Sequence, residues 1–83
     1  MKLIISSDSD YEFLLYAVTK EQIDDFKSHM DNTSYSLIYS VHRFELAPNF
    51  YAVYISIDTH DGRAEVIDYL ASKGASIEHQ ELD

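Results

Sequence analysis

Strand-like and helix-like segments alternate so tightly along this chain that few folds can accommodate them. Apolar residues at every second position, or short apolar runs, predict strands, whereas apolar residues three and four apart predict helices. After a short N-terminal stretch the segments follow the order β-α-β-β-α-β. This order is typical of the ferredoxin-like split unit, a two-layer sandwich with an antiparallel sheet and both helices on one face. A length of 83 residues leaves room for one α+β domain spanning residues 1–83.

The first half of the chain predicts two strands and a helix. Leu3–Ser6 is expected to be a short extra N-terminal strand or an arm, and the polar turn Ser7–Asp10 would allow a hairpin with the next strand. Tyr11–Val18 is apolar on both faces, which suits a central, buried strand. A capping box at Thr19 begins a helix over Lys20–Asp31. That helix has one apolar face, made of Ile23, Phe26 and Met30.

The second half of the chain begins with a predicted hairpin. Tyr35–Leu46 and Phe50–Asp58 are two long strands, and the turn between them is short enough to make them antiparallel. Along the second strand one face is inward, and it consists of Tyr51, Val53, Ile55 and Ile57.

A second helix and a last strand complete the pattern. Thr59 or Asp61 caps a helix that runs to about Lys73, and Gly74 follows at the left-handed position of a helix end. The residues predicted to face inward are Ala64, Ile67, Leu70 and Ala71. Ser76–Leu82 is a more polar strand at an edge of the sheet. The same pattern fits a β-β-α-β-β-α-β sheet without the ferredoxin-like strand order, and this alternative stays open.

Composition restricts the classes of partner. Fifteen Asp and Glu against six Lys and Arg give a formal charge of −9, which argues against nucleic acid or an anionic membrane as the direct partner. The longest apolar runs are six residues, far below the ~20 that a membrane-spanning helix needs. Without cysteine the chain has no disulfide, thiolate metal site or cysteine nucleophile. We expect a cytoplasmic protein.

No sequence motif indicates catalysis, a cofactor or a metal. Asp8-Ser9-Asp10-Tyr11-Glu12 has alternating carboxylates but lacks the rest of a calcium loop, so a solvated turn is favoured. Asp58-Thr59-His60-Asp61 could offer metal ligands, yet acidic residues at a helix start are expected for capping alone. The chain has no nucleophile elbow, phosphate-binding loop or dinucleotide-binding glycines. We therefore predict a non-enzyme without a cofactor.

Acidic residues and tyrosines are the candidate binding groups. Asp61, Glu65 and Asp68 form an acidic stripe on the second predicted helix. On the first, the acidic residues that lie away from the apolar face are Glu21, Asp24, Asp25 and Asp31, of which the first three are candidate contacts. Like charges four residues apart slightly destabilise a helix, so helix stability does not explain them. Seven tyrosines exceed what one small core can hold. Tyr35 and Tyr39 are predicted to share a strand face, and Tyr54 lies on the polar side of its strand, so these are the candidate contact tyrosines.

Two functions fit this surface. The first is an acidic protein-binding module that occupies the basic, nucleic-acid-binding surface of a partner, as phage anti-defence (anti-CRISPR or anti-restriction), immunity and antitoxin proteins do. Carboxylate rows then stand where phosphates would stand. The alternative is a small regulatory or ligand-binding ferredoxin-like domain that forms a homodimer through its open sheet face or an edge strand.

Overall fold

The structure is a computed structural model that describes residues 1–7 and 11–80. Within these residues the elements are, in chain order, β1 (Lys2–Ser6), β2 (Glu12–Val18), α1 (Lys20–Asp31), β3 (Tyr39–Ala47), β4 (Phe50–Ile57), α2 (His60–Ser72) and β5 (Ser76–Gln80). The strands form one mixed sheet with the order β3-β4-β2-β1-β5. The α+β class is thereby confirmed.

β2 occupies the centre of the sheet, as its apolar character on both faces predicts. It pairs antiparallel with β1 on one side and with β4 on the other. The predicted hairpin between the N-terminal strand and β2 is therefore present, although residues 8–10 of its turn lie outside the described residues. β2 bulges near its end, where Ala17 has a φ of 58° and the register shifts between Leu15 and Val18.

The ferredoxin-like strand order is matched only in part. In that arrangement the last strand pairs with the first strand of the β-α-β-β-α-β unit, which is β2 here. β1 already occupies that side of β2, so β5 pairs in parallel with β1 and the sheet is mixed rather than antiparallel. The rest of the unit is present, since β2 and β3 run parallel on either side of β4 and α1 connects them.

Both helices cover the same face of the sheet. One apolar core joins Leu3 and Ile5 of β1, Phe13 and Leu15 of β2, the inward residues of β4, and residues of both helices. α1 contributes Ile23, Phe26 and Met30, as predicted. Burying these side chains is the main favourable contribution to folding in a domain of this size.

The face that α2 turns to the core overlaps the predicted one only in part. Leu70 is buried and Ile67 packs against the core, as predicted, whereas Ala64 and Ala71 are exposed and Gly62 and Val66 are buried instead. Gly62 explains the difference, because a Cβ there would lie 2.5 Å from Cδ1 of Ile57. The missing side chain lets the first turn of α2 approach β4 closely, and Val66 and Leu70 follow on the same side.

The strand predicted from Tyr35 begins later, at Tyr39. Residues 32–38 form turns in which the hydroxyl of Thr33 donates to the carbonyl oxygen of Met30 and accepts from the N–H of Tyr35. The N–H of Ile38 then donates to the carbonyl oxygen of Tyr35. The prediction that Tyr35 and Tyr39 share a strand face is therefore wrong, since Tyr35 belongs to the turn after α1.

The β3–β4 hairpin closes through Pro48 and Asn49. Proline at the second position of the turn and Asn49 with a φ of 71° at the third are the residues that a type II turn favours. β3 has a bulge between Glu45 and Ala47, next to this turn. Arg43 and Glu45 lie opposite Val53 and Tyr51, on the helix side of the sheet, yet both are exposed. The helices therefore do not cover this end of β3.

Candidate functional site

The two helices form the layer that carries most of the described acidic residues, and we call the solvent side of α1 and α2 the helix layer. Both helices begin at a threonine cap. Thr19 accepts a hydrogen bond from the N–H of Gln22, whose side chain in turn accepts from the N–H of Thr19. Thr59 accepts from the N–H of Gly62. Because these hydroxyls satisfy the first turns, the carboxylates are not required as caps.

α1 presents its predicted acidic residues to solvent. Glu21, Asp24 and Asp25 are all exposed and lie away from the buried residues of the helix. Among the described residues, Lys2 forms an ion pair with Glu78, and the side chains of His29 and Glu65 are hydrogen-bonded. The three carboxylates of α1 are thus not neutralised by a salt bridge within the described part of the chain.

The predicted stripe on α2 is divided between two roles. Asp61 and Asp68 are exposed and make no ion pair with any described residue. Glu65 is half-buried and turned toward α1, where its Oε1 lies 2.7 Å from Nε2 of His29. Glu65 therefore belongs to the contact between the helices, and its assignment to an outward acidic stripe is wrong.

A small cluster of side chains links the two helices. The His29 ring stacks on the Tyr69 ring with centroids 4.2 Å apart and planes inclined by 28°. Nζ of Lys73 lies 5.6 Å from the centre of the same tyrosine ring. Burial, and to a lesser extent the negative charge of Asp25, raise the pKa of Tyr69. The sequence pattern gave no role to His29 or Tyr69, because the contact depends on how two helices separated in sequence lie beside each other.

Tyr39 is a structural residue rather than an exposed contact residue. Its ring packs edge-to-face on Phe26 with centroids 6.3 Å apart, and its hydroxyl donates a hydrogen bond of 2.5 Å to Asp31. Burial, that hydrogen bond and the charge of Asp31 raise the pKa of Tyr39 to about 12. Tyr35 also packs against the core. The two tyrosines therefore do not form the shared strand face on which the predicted contact depends.

Tyr54 lies on the sheet face that the helices leave uncovered, as predicted. It is half-buried and paired in register with Leu14 of β2 and His42 of β3. Phe44 is on the same face, opposite Ala52. The β3–β4 hairpin carries three exposed large apolar residues. Phe44, Leu46 and Phe50 are 56%, 55% and 49% exposed. The sequence pattern did not single out these three residues.

Neither of the two candidate metal sites gains support. Among residues 1–7 and 11–80, no group of three or more His, Asp or Glu side chains could hold a metal ion. In the segment Asp58–Asp61, Thr59 caps α2, and Nε2 of His60 lies 3.2 Å from the hydroxyl of Tyr11. The candidate calcium loop falls mostly on residues 8–10, which lie outside the described residues.

One cleft opens beside the cluster between the helices. Its volume is about 110 Å³, and it is lined by Met1, Gln22, Asp25, Tyr69, Leu70 and Lys73. Pockets for small molecules and cofactors usually have volumes of roughly 300–1,000 Å³. The cleft is therefore too small to indicate a cofactor site.

No helix in the described parts of the chain is long and apolar enough to cross a membrane. Comparison with protein-family models, with curated proteins and with solved structures found no match for the chain.

Proposed function

We propose that this chain is a non-enzymatic protein-binding module whose acidic helix layer occupies a basic, nucleic-acid-binding surface of a partner protein. One observation carries the proposal. The helix layer presents exposed carboxylates that no described lysine or arginine neutralises, and these are Glu21, Asp24, Asp25, Asp61 and Asp68. With seven acidic and three basic residues, α1 and α2 together carry a net charge of −4 (3 − 7).

The geometry of the helix layer supports recognition of a basic surface. Acidic residues three or four positions apart on one helix lie about 5–6 Å from each other. Packed helices run side by side with their axes about 8–10 Å apart. The layer therefore offers two rows of negative charge on a rigid support, which can replace phosphates opposite lysine and arginine side chains. Because the support is rigid, the layer loses little conformational entropy when the partner binds.

The proposal places the chain in the same functional class as anti-CRISPR, anti-restriction, immunity and antitoxin proteins. Such a protein acts in the cytoplasm on a nucleic-acid-processing enzyme or effector. Long-range attraction between opposite charges speeds association, and salt screens that attraction. The partner is thus expected to be a protein, and nucleic acid is expected to compete with the chain for it.

Charge-neutral variants of the helix layer test the proposal. Asp24→Asn/Asp25→Asn removes two charges from α1, and Asp61→Asn/Asp68→Asn removes two from α2. Glu12→Gln/Asp58→Asn is the matched control, because it removes two charges outside the helix layer. Glu65 is left unchanged, since its hydrogen bond to His29 holds the helices together. Circular dichroism is used to check that all three variants fold.

Each immobilised variant is exposed to a cell lysate, and retained proteins are identified by mass spectrometry. We expect the wild type and the control to retain a basic nucleic-acid-binding protein that a DNA or RNA oligonucleotide displaces. Both helix variants should bind it with a slower association rate. If the control weakens binding as much as the helix variants do, or if the oligonucleotide does not compete, the acidic layer is not the binding surface.

The alternative function is a dimeric regulatory or ligand-binding domain. The structure favours dimerisation but not ligand binding. The exposed apolar residues of the β3–β4 hairpin favour an interface. The cleft of about 110 Å³ does not favour a ligand of cofactor size.

A further inference from the structure

The outer edge of β3 is an unusually open strand edge. β3 has nine residues and lies at the end of the sheet beside β4, so alternate residues direct their N–H and C=O groups away from the sheet. Proteins usually protect such an edge by keeping it short, by covering it, or by placing charged residues and bulges on it. Here every residue from His42 to Ala47 is exposed, and Phe44 and Leu46 add large apolar side chains. This edge can therefore accept another strand.

Charges of opposite sign flank Phe44 on this edge. Arg43 and Glu45 both lie on the helix side of the sheet, whereas Phe44 lies on the uncovered side. The guanidinium carbon of Arg43 is 5.1 Å from the centre of the Tyr51 ring. Neither Arg43 nor Glu45 forms a salt bridge with any residue that the structure describes. Both charges are thus available to a partner that approaches the edge.

We propose that β3 pairs with β3 of a second copy of the chain, antiparallel, about a two-fold axis at Phe44. In an antiparallel pair centred on position 44, position 43 of each copy lies opposite position 45 of the other. Arg43 of each copy then faces Glu45 of the second copy, which makes two favourable cross-strand pairs. The two Phe44 rings meet on the uncovered face. The interface is self-complementary, as a two-fold homodimer requires.

The charges select this register over its neighbours. A pair centred on Arg43 would bring two guanidinium groups together, and a pair centred on Glu45 would bring two carboxylates together. Registers centred two positions lower or higher place Arg43 opposite Val41 or Asn49 and lose both charge pairs. The bulge between Glu45 and Ala47 limits regular pairing to a short stretch. The interface is therefore small, and the dimer is a transient one.

Disulfide trapping tests the position of the axis, and the absence of cysteine from the chain makes the test clean. Residues directly opposite in an antiparallel pair have Cβ atoms about 4.5–5.5 Å apart, within reach of a disulfide after a small adjustment. Phe44→Cys is incubated with oxidised glutathione, which accepts two electrons and yields two glutathione thiols as the protein thiols join. Leu37→Cys, at a residue that is 94% exposed, is the control.

We expect a covalent dimer of Phe44→Cys to form at least about tenfold faster than that of Leu37→Cys at the same protein concentration, because pairing holds the two Cβ atoms together. Equal rates for the two variants would overturn the proposal. Both cysteine variants are checked for folding by circular dichroism.

Charge reversal tests the register without changing Phe44. Arg43→Glu places glutamates at both positions, and Glu45→Arg places arginines at both. Each variant alone brings like charges together twice, because the two-fold axis repeats every contact. We expect dimerisation of each to weaken at least about tenfold in sedimentation equilibrium. Mixing the two variants restores both charge pairs, so a heterodimer should form with about the wild-type affinity.

Three further outcomes would contradict the proposed pairing: a wild type that stays monomeric near 1 mM, single variants that dimerise as the wild type does, or a mixture that shows no heterodimer. None of these experiments changes the helix layer. A negative result here therefore leaves the proposed binding to a basic partner unaffected, and failure of that binding leaves the dimer unaffected.

Discussion

Phe26 lies where α1, α2 and β3 meet. Its ring is 6.3 Å from that of Tyr39 and 5.9 Å from that of Tyr69, measured between centroids, and only 1% of the residue is exposed. Aromatic pairs at these distances add to the free energy that burial of the ring already contributes. A single side chain thus connects both helices to the edge of the sheet.

We expect Phe26→Ala to lower the free energy of unfolding by about 3–5 kcal/mol, because it removes buried apolar area and leaves a cavity among three elements. Phe44→Ala is the matched control, since the same side chain is 56% exposed there. Its effect on the monomer should stay within about 0.5 kcal/mol. The midpoints of urea unfolding, measured at low protein concentration, compare the two. Equal midpoints would contradict the placement of Phe26 in the core.

Tyr39 makes the fold sensitive to alkaline pH. Burial, followed by the hydrogen bond to Asp31 and its charge, raises the pKa of Tyr39 from 10.0 to about 12. Because the folded state holds this proton more tightly than the unfolded chain, the stabilisation is complete below pH 10.0 and is lost as the pH rises toward about 12. Tyr39→Phe should therefore lose less stability than the wild type over this interval.

The absorbance of tyrosinate gives a second measurement of Tyr39. The wild-type titration minus that of Tyr39→Phe isolates this residue. In Asp31→Asn the pKa of Tyr39 should fall but stay above its ordinary value, since burial is the largest cause of the shift. A Tyr39 that titrates at its ordinary pKa in the wild type would show that its hydroxyl is not held against Asp31.

The positions of the helices and strands along the chain were predicted better than the side that each of them turns to the core. The capping box at Thr19 and the spacing of apolar residues placed α1 correctly, because both signals are local. The inward face of α2 was predicted only in part: Ile67 and Leu70 face the core, but Gly62 was missed, since a glycine carries no apolar signal and its close approach to Ile57 is a tertiary contact. The start of β3 was missed for a similar reason: the hydroxyl of Thr33 holds the chain in turns.

Gly62 and Gly74 are glycines for different physical reasons: space is lacking at Gly62, whereas the backbone of Gly74 has a positive φ. In the first turn of α2, alanine normally stabilises a helix relative to glycine by about 1 kcal/mol. At Gly62 we expect the opposite, a loss of about 1–3 kcal/mol, because the new Cβ would overlap the Ile57 side chain. Gly74 has a φ of 89° and open space around it, so Gly74→Ala should cost about 1–2 kcal/mol through backbone strain alone.

A second substitution distinguishes the two causes. Shortening the neighbour in Gly62→Ala/Ile57→Val should recover part of the loss at Gly62. Ile57→Val should not affect the cost of Gly74→Ala, since among the described residues no atom beyond the two chain neighbours of Gly74 lies within 4 Å of a Cβ placed there. Thermal unfolding of the single and double variants measures both. A stabilising Gly62→Ala would show that α2 does not approach β4 closely.

At the scale of the molecule, the sequence predicted which face of the sheet is covered but not the complete strand order. The two-sided apolarity of β2 and the amphipathic pattern of α1 indicate a central strand below a helix layer. The sequence predicted the hairpin of β1 with β2, but no local signal indicates that β5 then pairs with β1, because the pairing of β5 is a contact between distant parts of the chain. The same holds for the acidic residues. The sequence pattern identified the acidic residues on the helices, but it did not predict the hydrogen bond between Glu65 and His29.

The net charge of −9 gives the two proposed interactions opposite responses to salt. Two copies joined through β3 would have their centres about 25 Å apart, the width of five strands. Nine charges on each copy then repel with about 13 kcal/mol in unscreened water. The Debye length falls from about 30 Å at 0.01 M salt to about 8 Å at 0.15 M, which reduces the repulsion to a fraction of a kcal/mol. The local Arg43–Glu45 attraction acts over a few ångströms and is affected far less.

We therefore expect the homodimer to become tighter as salt rises from 0.01 to 0.15 M, while binding of the helix layer to a basic partner becomes weaker over the same interval. Combining Asp24→Asn/Asp25→Asn with Asp61→Asn/Asp68→Asn lowers the net charge from −9 to −5 (−9 + 4). This variant should dimerise more tightly than the wild type at 0.01 M salt and equally well at 0.15 M, because only the long-range repulsion has changed. Sedimentation equilibrium at both salt concentrations measures the dimer, and a dimer that dissociates as salt rises would show that contacts between opposite charges, rather than strand pairing, hold the two copies together.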